Sequence, residues 1–340
     1  MRRIDLENHF YDQSLIDALA ARACPPRYDS KTDVIHWTDN IAMPQGPLLK
    51  KLLDVGEARL SLMDRQGITQ AVISCSPGAE QLPVSDSIAA CQATNAALYE
   101  LTRRYPDRYL GSAILPVGDI DASLAELERC VTEYGFVSWH THSNYGNSAP
   151  DEARYRPLFR KAADLGIYVY LHPQLPEGKR YEGYGFTFAG PGLGFTVDTV
   201  TTLLRMVVSG LFDEIPHLKL VLGHLGEGLP FLMERIENRI KFLPNPALQC
   251  HQDLRYYFRN NIWVTTSGNM SKEAFQCTKD VLGMDRILFA SDYPFESIED
   301  MMAFLGQLPL SQEETEQLYF RNAETALGIP QLCSGGNCDE

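Results

Sequence analysis

Glu7 with His9, then His172, His224 and Asp292 each stand where an apolar run stops, and each can bind a metal or move a proton. One divalent cation with an adjacent acid/base group needs this mixture of carboxylates and imidazoles. Glu7 and His9 flank Asn8, so on a strand both side chains leave the same face and can chelate one ion. His172 closes the run Tyr168, Val169, Tyr170, Leu171 and precedes Pro173, a residue that stops a central strand. An imidazole there suits Mn, Zn or Fe. His224 follows 219–223 and leads into Leu225, Gly226, Glu227 and Gly228. Glu227 could bond one imidazole nitrogen, fixing the tautomer and making His224 a general acid/base. Arg235, about two turns into the next helix, could present its planar fork to a substrate carboxylate. Asp292 follows 286–291 and precedes Tyr293 and Pro294, where a carboxylate can both bind a metal and exchange a proton. Taken singly, each has an ordinary structural account, from a satisfied core histidine to an aspartate capping the next helix. Together, at the ends of successive apolar runs, they make accident the weaker explanation.

Such residues meet only if the fold brings distant strand ends to one point. Short β-branched or aromatic runs recur at 4–6, 71–74, 109–115, 136–139, 167–171, 218–223, 262–266 and 287–290. Most are followed by a turn and a helical pattern, legible for example at 121–134 and 157–165. Alternation of this kind favours parallel strands and predicts an α/β fold, a (β/α)8 TIM barrel, whose strand ends share one catalytic face. Two stretches break the rhythm. Residues 11–56 hold Pro25, Pro26, Pro44, Gly46 and Pro47 with scattered aromatics, the pattern of a long insertion after the first strand lying over the barrel mouth. Residues 177–195, rich in Gly and Tyr, follow His172 directly. Length alone allows one large α/β domain or two ordinary ones; the barrel reading makes 1–330 a single domain and leaves 331–340 as a flexible tail.

Composition narrows the partners. Hydrophobic residues make up 44% and charged residues 22%, the profile of a soluble globular chain. A formal charge of −14 without a Lys/Arg cluster argues against a nucleic-acid partner, which needs a basic stripe to displace counterions. The start of the chain carries no apolar run long enough for a signal peptide, and no segment approaches a membrane span, so a cytoplasmic location is expected. The eight cysteines show no paired CxxC spacing and are expected to be mostly free thiols.

The block from Asp198 through Arg205, Ser209, Gly210, Phe212, Asp213, Pro216, Leu218 and Lys219 to Gly223, His224, Gly226, Glu227, Gly228 and Pro230 resembles the metal-dependent decarboxylases of the amidohydrolase superfamily. That group includes aminocarboxymuconate semialdehyde decarboxylase and γ-resorcylate decarboxylase. The run Ser291, Asp292, Tyr293, Pro294, Phe295, Glu296 is similar to it as well, and the resemblance covers nearly the whole chain. It implies that Glu7, His9, His172 and Asp292 hold one divalent metal, Mn2+ or Zn2+ with Mn2+ ahead, while His224 and Glu227 form an acid/base pair behind the ligands. Arg235 falls where related hydroxybenzoate decarboxylases place a substrate-site arginine. The semialdehyde-type enzymes carry HxH on the first strand; the ExH of Glu7 and His9 is similar to the γ-resorcylate and dihydroxybenzoate branch. The fourth run offers no lysine of the kind that bridges two metals, which favours a single ion. His140 and His142 depart from the hydroxybenzoate pattern. Substrate contact or packing is the favoured role for them, with metal ligation the other.

The resemblance implies a non-oxidative carboxy-lyase acting on a small ortho-hydroxy aromatic acid, with Asp292 protonating the carboxyl-bearing carbon and His224 relaying the phenolic proton. Phe10, Trp139 and Phe295 are candidate walls for the ring, with His142 a further substrate contact. A homo-oligomer, dimer or tetramer, is also implied. The same ligands would equally serve a hydrolase or hydratase of a cyclic or unsaturated carboxylic acid, with metal-bound water as nucleophile and His224 as base. A third possibility is a binding protein on a barrel that has lost activity; retention of every expected ligand speaks against it.

Overall fold

The computed structural model describes residues 1–75, 78–79, 82–176, 178–181, 183–243 and 245–329. The tail expected at 331–340, and positions 177 and 182 of the segment after His172, lie outside the described residues. The chain opens with β1 (Ile4–His9) and an antiparallel ribbon of β2 (Arg27–Asp29), β3 (Val34–His36) and β4 (Ala42–Pro44). It then alternates helices with β5 (Gln70–Ser74), β6 (Tyr109–Ala113), β7 (Ser138–His142), β8 (Tyr168–His172), β9 (Lys219–Leu222), β10 (Ile262–Thr265) and β11 (Ile287–Leu288).

β1 and β5 to β11 pair in chain order and all in parallel. The residues after β11 return to β1: Leu6 donates to the Phe289 carbonyl at 3.1 Å, Asp292 to the Glu7 carbonyl at 3.0 Å and His9 to the Tyr293 carbonyl at 2.7 Å. The result is the expected (β/α)8 barrel, and each of the eight runs read from the sequence becomes one of its strands.

Strand alternation sorts the core into two layers. Tyr168 and Tyr170 face the barrel axis with Ile4, Leu6, Val72, Val221 and Leu288, whereas Val169 and Leu171 face the surrounding helices with Ile73, Leu220 and Val264. His172 continues the inward face of β8.

β1 needs one device to do the same. Asp5 pairs with Ala71 and Asn8 with Ile73, so one extra residue is accommodated between them as a bulge. Leu6 can therefore fill the axis while Glu7 and His9, of the opposite parity, also turn inward.

The insertion has its own structure: the ribbon lies between the helices Gln13–Ala20 and Pro47–Leu53. Arg59, on the next helix, anchors it. Its fully buried guanidinium donates to the carbonyls of His9 at 2.8 Å and Lys51 at 2.7 Å and lies over the Tyr293 ring. Among the described residues no helix is long and apolar enough to cross a membrane.

Candidate metal centre and active site

At the C-terminal mouth of the barrel Glu7, His9, His172 and Asp292 each offer one donor atom, and these four atoms lie within 4.8 Å of one another. His9 Nε2 is 3.0 Å from Asp292 Oδ1 and 3.6 Å from Glu7 Oε1, and His172 Nε2 is 3.8 Å from the same Glu7 oxygen. Glu7 is buried, its Oε2 accepts from the Tyr170 hydroxyl, and its Oε1 has no hydrogen-bond partner among the described residues. A buried carboxylate oxygen facing two imidazole nitrogens fits a cation and little else, since an unsatisfied buried oxygen is costly. His172 Nδ1 donates to the Pro173 carbonyl at 2.7 Å, which leaves Nε2 as the acceptor nitrogen turned towards Glu7. The residues present therefore fit one divalent ion.

The electrostatics divide the groups. Burial alone would push the Glu7 carboxyl up, yet the imidazoles of His9, His224 and His172 hold it down to about 2. Asp292 goes the other way, pushed up by burial and by the Glu7 charge. His140 and His172 are held well below the usual imidazole range, first by burial and then by the neighbouring histidines, so both are neutral rings.

His224 stands beside this cluster. Its Nδ1 is 2.6 Å from Glu227 Oε1, and Thr196 Oγ1 donates to the other Glu227 oxygen at 2.6 Å. Burial would lower the imidazole, but Glu227, helped by Glu7 and Asp292, raises it to about 10 and keeps it protonated at neutral pH. The backbone supports this placement at a conformational cost. His224, Leu225, Glu227 and Asp292 all have φ between 54° and 62°, a region non-glycine residues avoid. A polar chain links the two halves of the site. The Tyr170 hydroxyl is 3.2 Å from Thr265 Oγ1, which is 2.8 Å from Ser267 Oγ, the acceptor for the His224 backbone N–H at 3.2 Å.

Above the cluster lies a cavity of about 510 Å³, with His172, His224, Glu227 and Asp292 at its floor. Phe295 lines one side, and its ring centroid is 5.2 Å from that of His9. The other aromatic walls are Tyr11 and Trp37 from the insertion and Phe186 and Phe195 from the segment after His172. The sequence places both segments on the catalytic face, but no periodic signal says which of their aromatics line the cavity. Tyr170 was missed too, although its position two before His172 on an inward strand face marks it.

Four expected substrate contacts lie elsewhere. Trp139 points out of the barrel and packs on Phe159 at 5.1 Å between centroids, because alternation on β7 turns Ser138, His140 and His142 inward instead. Phe10 is buried in the same outer core, just beyond the last inward residue of β1. Arg235 is exposed on the helix Leu229–Ile240, whose buried side carries Met233 and Glu237. His142 is buried but lines an adjoining cavity of about 690 Å³, separated from the first by Trp37, Gln174 and Leu175.

A sequence model of the amidohydrolase family matches residues 4–329. The γ-resorcylate decarboxylase of Rhodococcus jostii is 35% identical over 293 residues, covering 82% of this chain and 89% of that protein. The solved 2,6-dihydroxybenzoate decarboxylase from Rhizobium superposes with a TM-score of 0.84 at 30% identity, covering 97% of this chain and 99% of that one. A dihydroxybenzoic acid decarboxylase from a Polaromonas species, solved with bound manganese and the inhibitor 2-nitroresorcinol, gives a TM-score of 0.83 at 31% identity, with 97% and 98% coverage.

Proposed function

The chain belongs to the amidohydrolase family, and on that footing we infer that it is a metal-dependent carboxy-lyase removing carbon dioxide non-oxidatively from an ortho-hydroxy aromatic acid of the hydroxybenzoate type. The observation that carries this reading is the convergence of Glu7, His9, His172 and Asp292 next to an aromatic-walled cavity, whose lining His172 and Asp292 join. Carbon dioxide leaves an aryl carbon when the electrons of the breaking bond stay on the ring and are taken up by a proton at that carbon. An ortho hydroxyl makes the protonated ring accessible. Glu7, His9, His172 and Asp292 would hold a divalent ion, which would supply positive charge to stabilise the phenolate and carboxylate of the substrate.

The chain's own groups do the rest. Asp292, which lines the cavity, delivers the proton to the carboxyl-bearing carbon. His224, kept as an imidazolium by Glu227, can donate to the phenolic oxygen and balance the charge that develops there. Phe186, Phe195, Phe295 and Trp37 hold the ring plane and exclude water. Arg235, outside the cavity of the single chain, is assigned no step.

Mn2+ is favoured over Zn2+ as the working ion, because a mixed carboxylate and imidazole set suits it and the Polaromonas relative carries manganese. A single catalytic domain over 1–330 and a cytoplasmic homo-oligomer, dimer or tetramer, complete the reading; light scattering of the purified protein gives the assembly size.

The test is carbon dioxide release from a panel of hydroxybenzoates by the Mn2+-loaded protein and its Asp292→Asn variant. The variant, with its ion content verified by elemental analysis, is expected to lose ~10²–10⁴-fold in kcat. Wild-type turnover by that variant removes Asp292 from its role. Ring or lactone opening without carbon dioxide release replaces the decarboxylase by a hydrolase or hydratase.

A further inference from the structure

We propose that His140 is a fifth protein donor to the ion at this site, adding a third imidazole from β7 to the four-residue set. The inference rests on the metal reading above and goes beyond it in naming a ligand. His140 lies on the inward face of β7, is 3% exposed, and its Nε2 has no hydrogen-bond partner among the described residues. Such a nitrogen is unfavourable in the interior unless something outside the protein atoms satisfies it. Its surroundings say what that is. His9, His140 and His172 each offer one nitrogen, and the three lie within 4.8 Å of one another, sharing two residues with the carboxylate-containing group. The ring centroid is 4.9 Å from that of His172 and 5.6 Å from that of His9.

The ring is also held in place. It stacks on Tyr170 with centroids 5.2 Å apart and planes 8° apart, and Tyr170 is the residue whose hydroxyl donates to Glu7. One side chain thus orients both a carboxylate ligand and the additional imidazole, as residues behind a metal site commonly do.

The chemical consequence concerns ion preference. Two carboxylates and two imidazoles make a mixed set that accepts Mn2+; a third imidazole strengthens binding of later divalent ions such as Zn2+ more than that of Mn2+. His140 therefore widens the affinity ratio of Zn2+ to Mn2+ without altering the carboxylates.

The experiment counts imidazoles directly and then removes one. Full-length protein is stripped with a chelator and loaded with Cu2+, and pulsed EPR reports the number of coordinated imidazoles. Three are expected in the wild type and two in His140→Gln. Dissociation constants for Zn2+ and Mn2+, measured by chelator competition, are expected to show the Zn2+ to Mn2+ preference falling at least ~10-fold in His140→Gln and His140→Leu. Apo-protein circular dichroism verifies that the variants fold; the wild-type count needs no variant. Two imidazoles in the wild type, or an unchanged ratio in a folded variant, overturns the assignment of His140 while leaving the four-donor site standing. A wild-type chain that binds none of the three ions removes the four-donor site as well.

Discussion

Replacing Glu227 by Gln isolates one charge. The Gln carbonyl can still accept from His224 Nδ1, and its amide can donate to Thr196 Oγ1, so both 2.6 Å contacts have a counterpart and only the negative charge disappears. In the wild type, burial pulls the His224 imidazole down, and Glu227 is the foremost group that raises it, to about 10. Losing a charge at hydrogen-bond distance is expected to lower that value by ~1–3 units, or ~1–4 kcal/mol of preference for the imidazolium. The sign follows from the direction of the shift. A histidine whose folded value exceeds its unfolded ~6.5 contributes stability that is complete below ~6.5 and is lost as pH rises through about 10. The stability gap between wild type and Glu227→Gln is therefore largest at acidic to neutral pH and closes towards pH 10. Activity depends on the same charge: the alkaline limb of kcat should move down by ~1–3 pH units, with the two proteins converging at low pH. Urea denaturation across the range and a kcat profile with whichever hydroxybenzoate of the panel is turned over measure both. An alkaline limb that stays in place in a folded, metal-loaded variant would refute the role of the His224 imidazolium.

Three further substitutions, one of them a control, probe positioning. Gly268 has φ +61°, and an added Cβ would lie 2.8 Å from His224 Cδ2, so Gly268→Ala should combine ~1–2 kcal/mol of left-handed backbone strain with displacement of the imidazole. Gly135→Ala, at φ +70° with open space around its Cβ, carries the strain alone; kcat should fall in the first variant and hold in the second, and equal kcat in both would sink the argument. Arg59→Met removes the donors that hold the His9 and Lys51 carbonyls and should destabilise the fold by ~2–4 kcal/mol in chemical denaturation, with weaker binding of the ion through His9. An unfolding midpoint at the wild-type value would mean that those carbonyls find other partners.

The barrel and the convergence of Glu7, His9, His172 and Asp292 were legible because two independent signals coincide: apolar runs at regular spacing, and acid/base residues where those runs end. What escaped is register. Period-two alternation says that Glu7 and His9 share a face but not which face, and with Ile4 and Leu6 turned to the axis a regular strand would send both outwards. The bulge between Asp5 and Asn8 reverses this, and it is a property of the pairing with β5 that no residue type announces. The fourth run was read at 136–139, whereas β7 is Ser138–His142; that strand puts Trp139 under the helices and His140 on the axis. The insertion walls were illegible for a different reason, since Tyr11 and Trp37 reach the cavity only through the fold of the ribbon and its flanking helices. Backbone angles supply the signal that side-chain spacing could not. Among the described residues the non-glycine positions with positive φ are Asp33, His224, Leu225, Glu227 and Asp292, and three of them, His224, Glu227 and Asp292, line the site. Glycine would suit those angles better, so the His, Glu and Asp side chains stand there against conformational preference, as strained functional positions do. The same reasoning separates Arg235 from this set: it occupies an unstrained, exposed helical position that asks nothing particular of its neighbours.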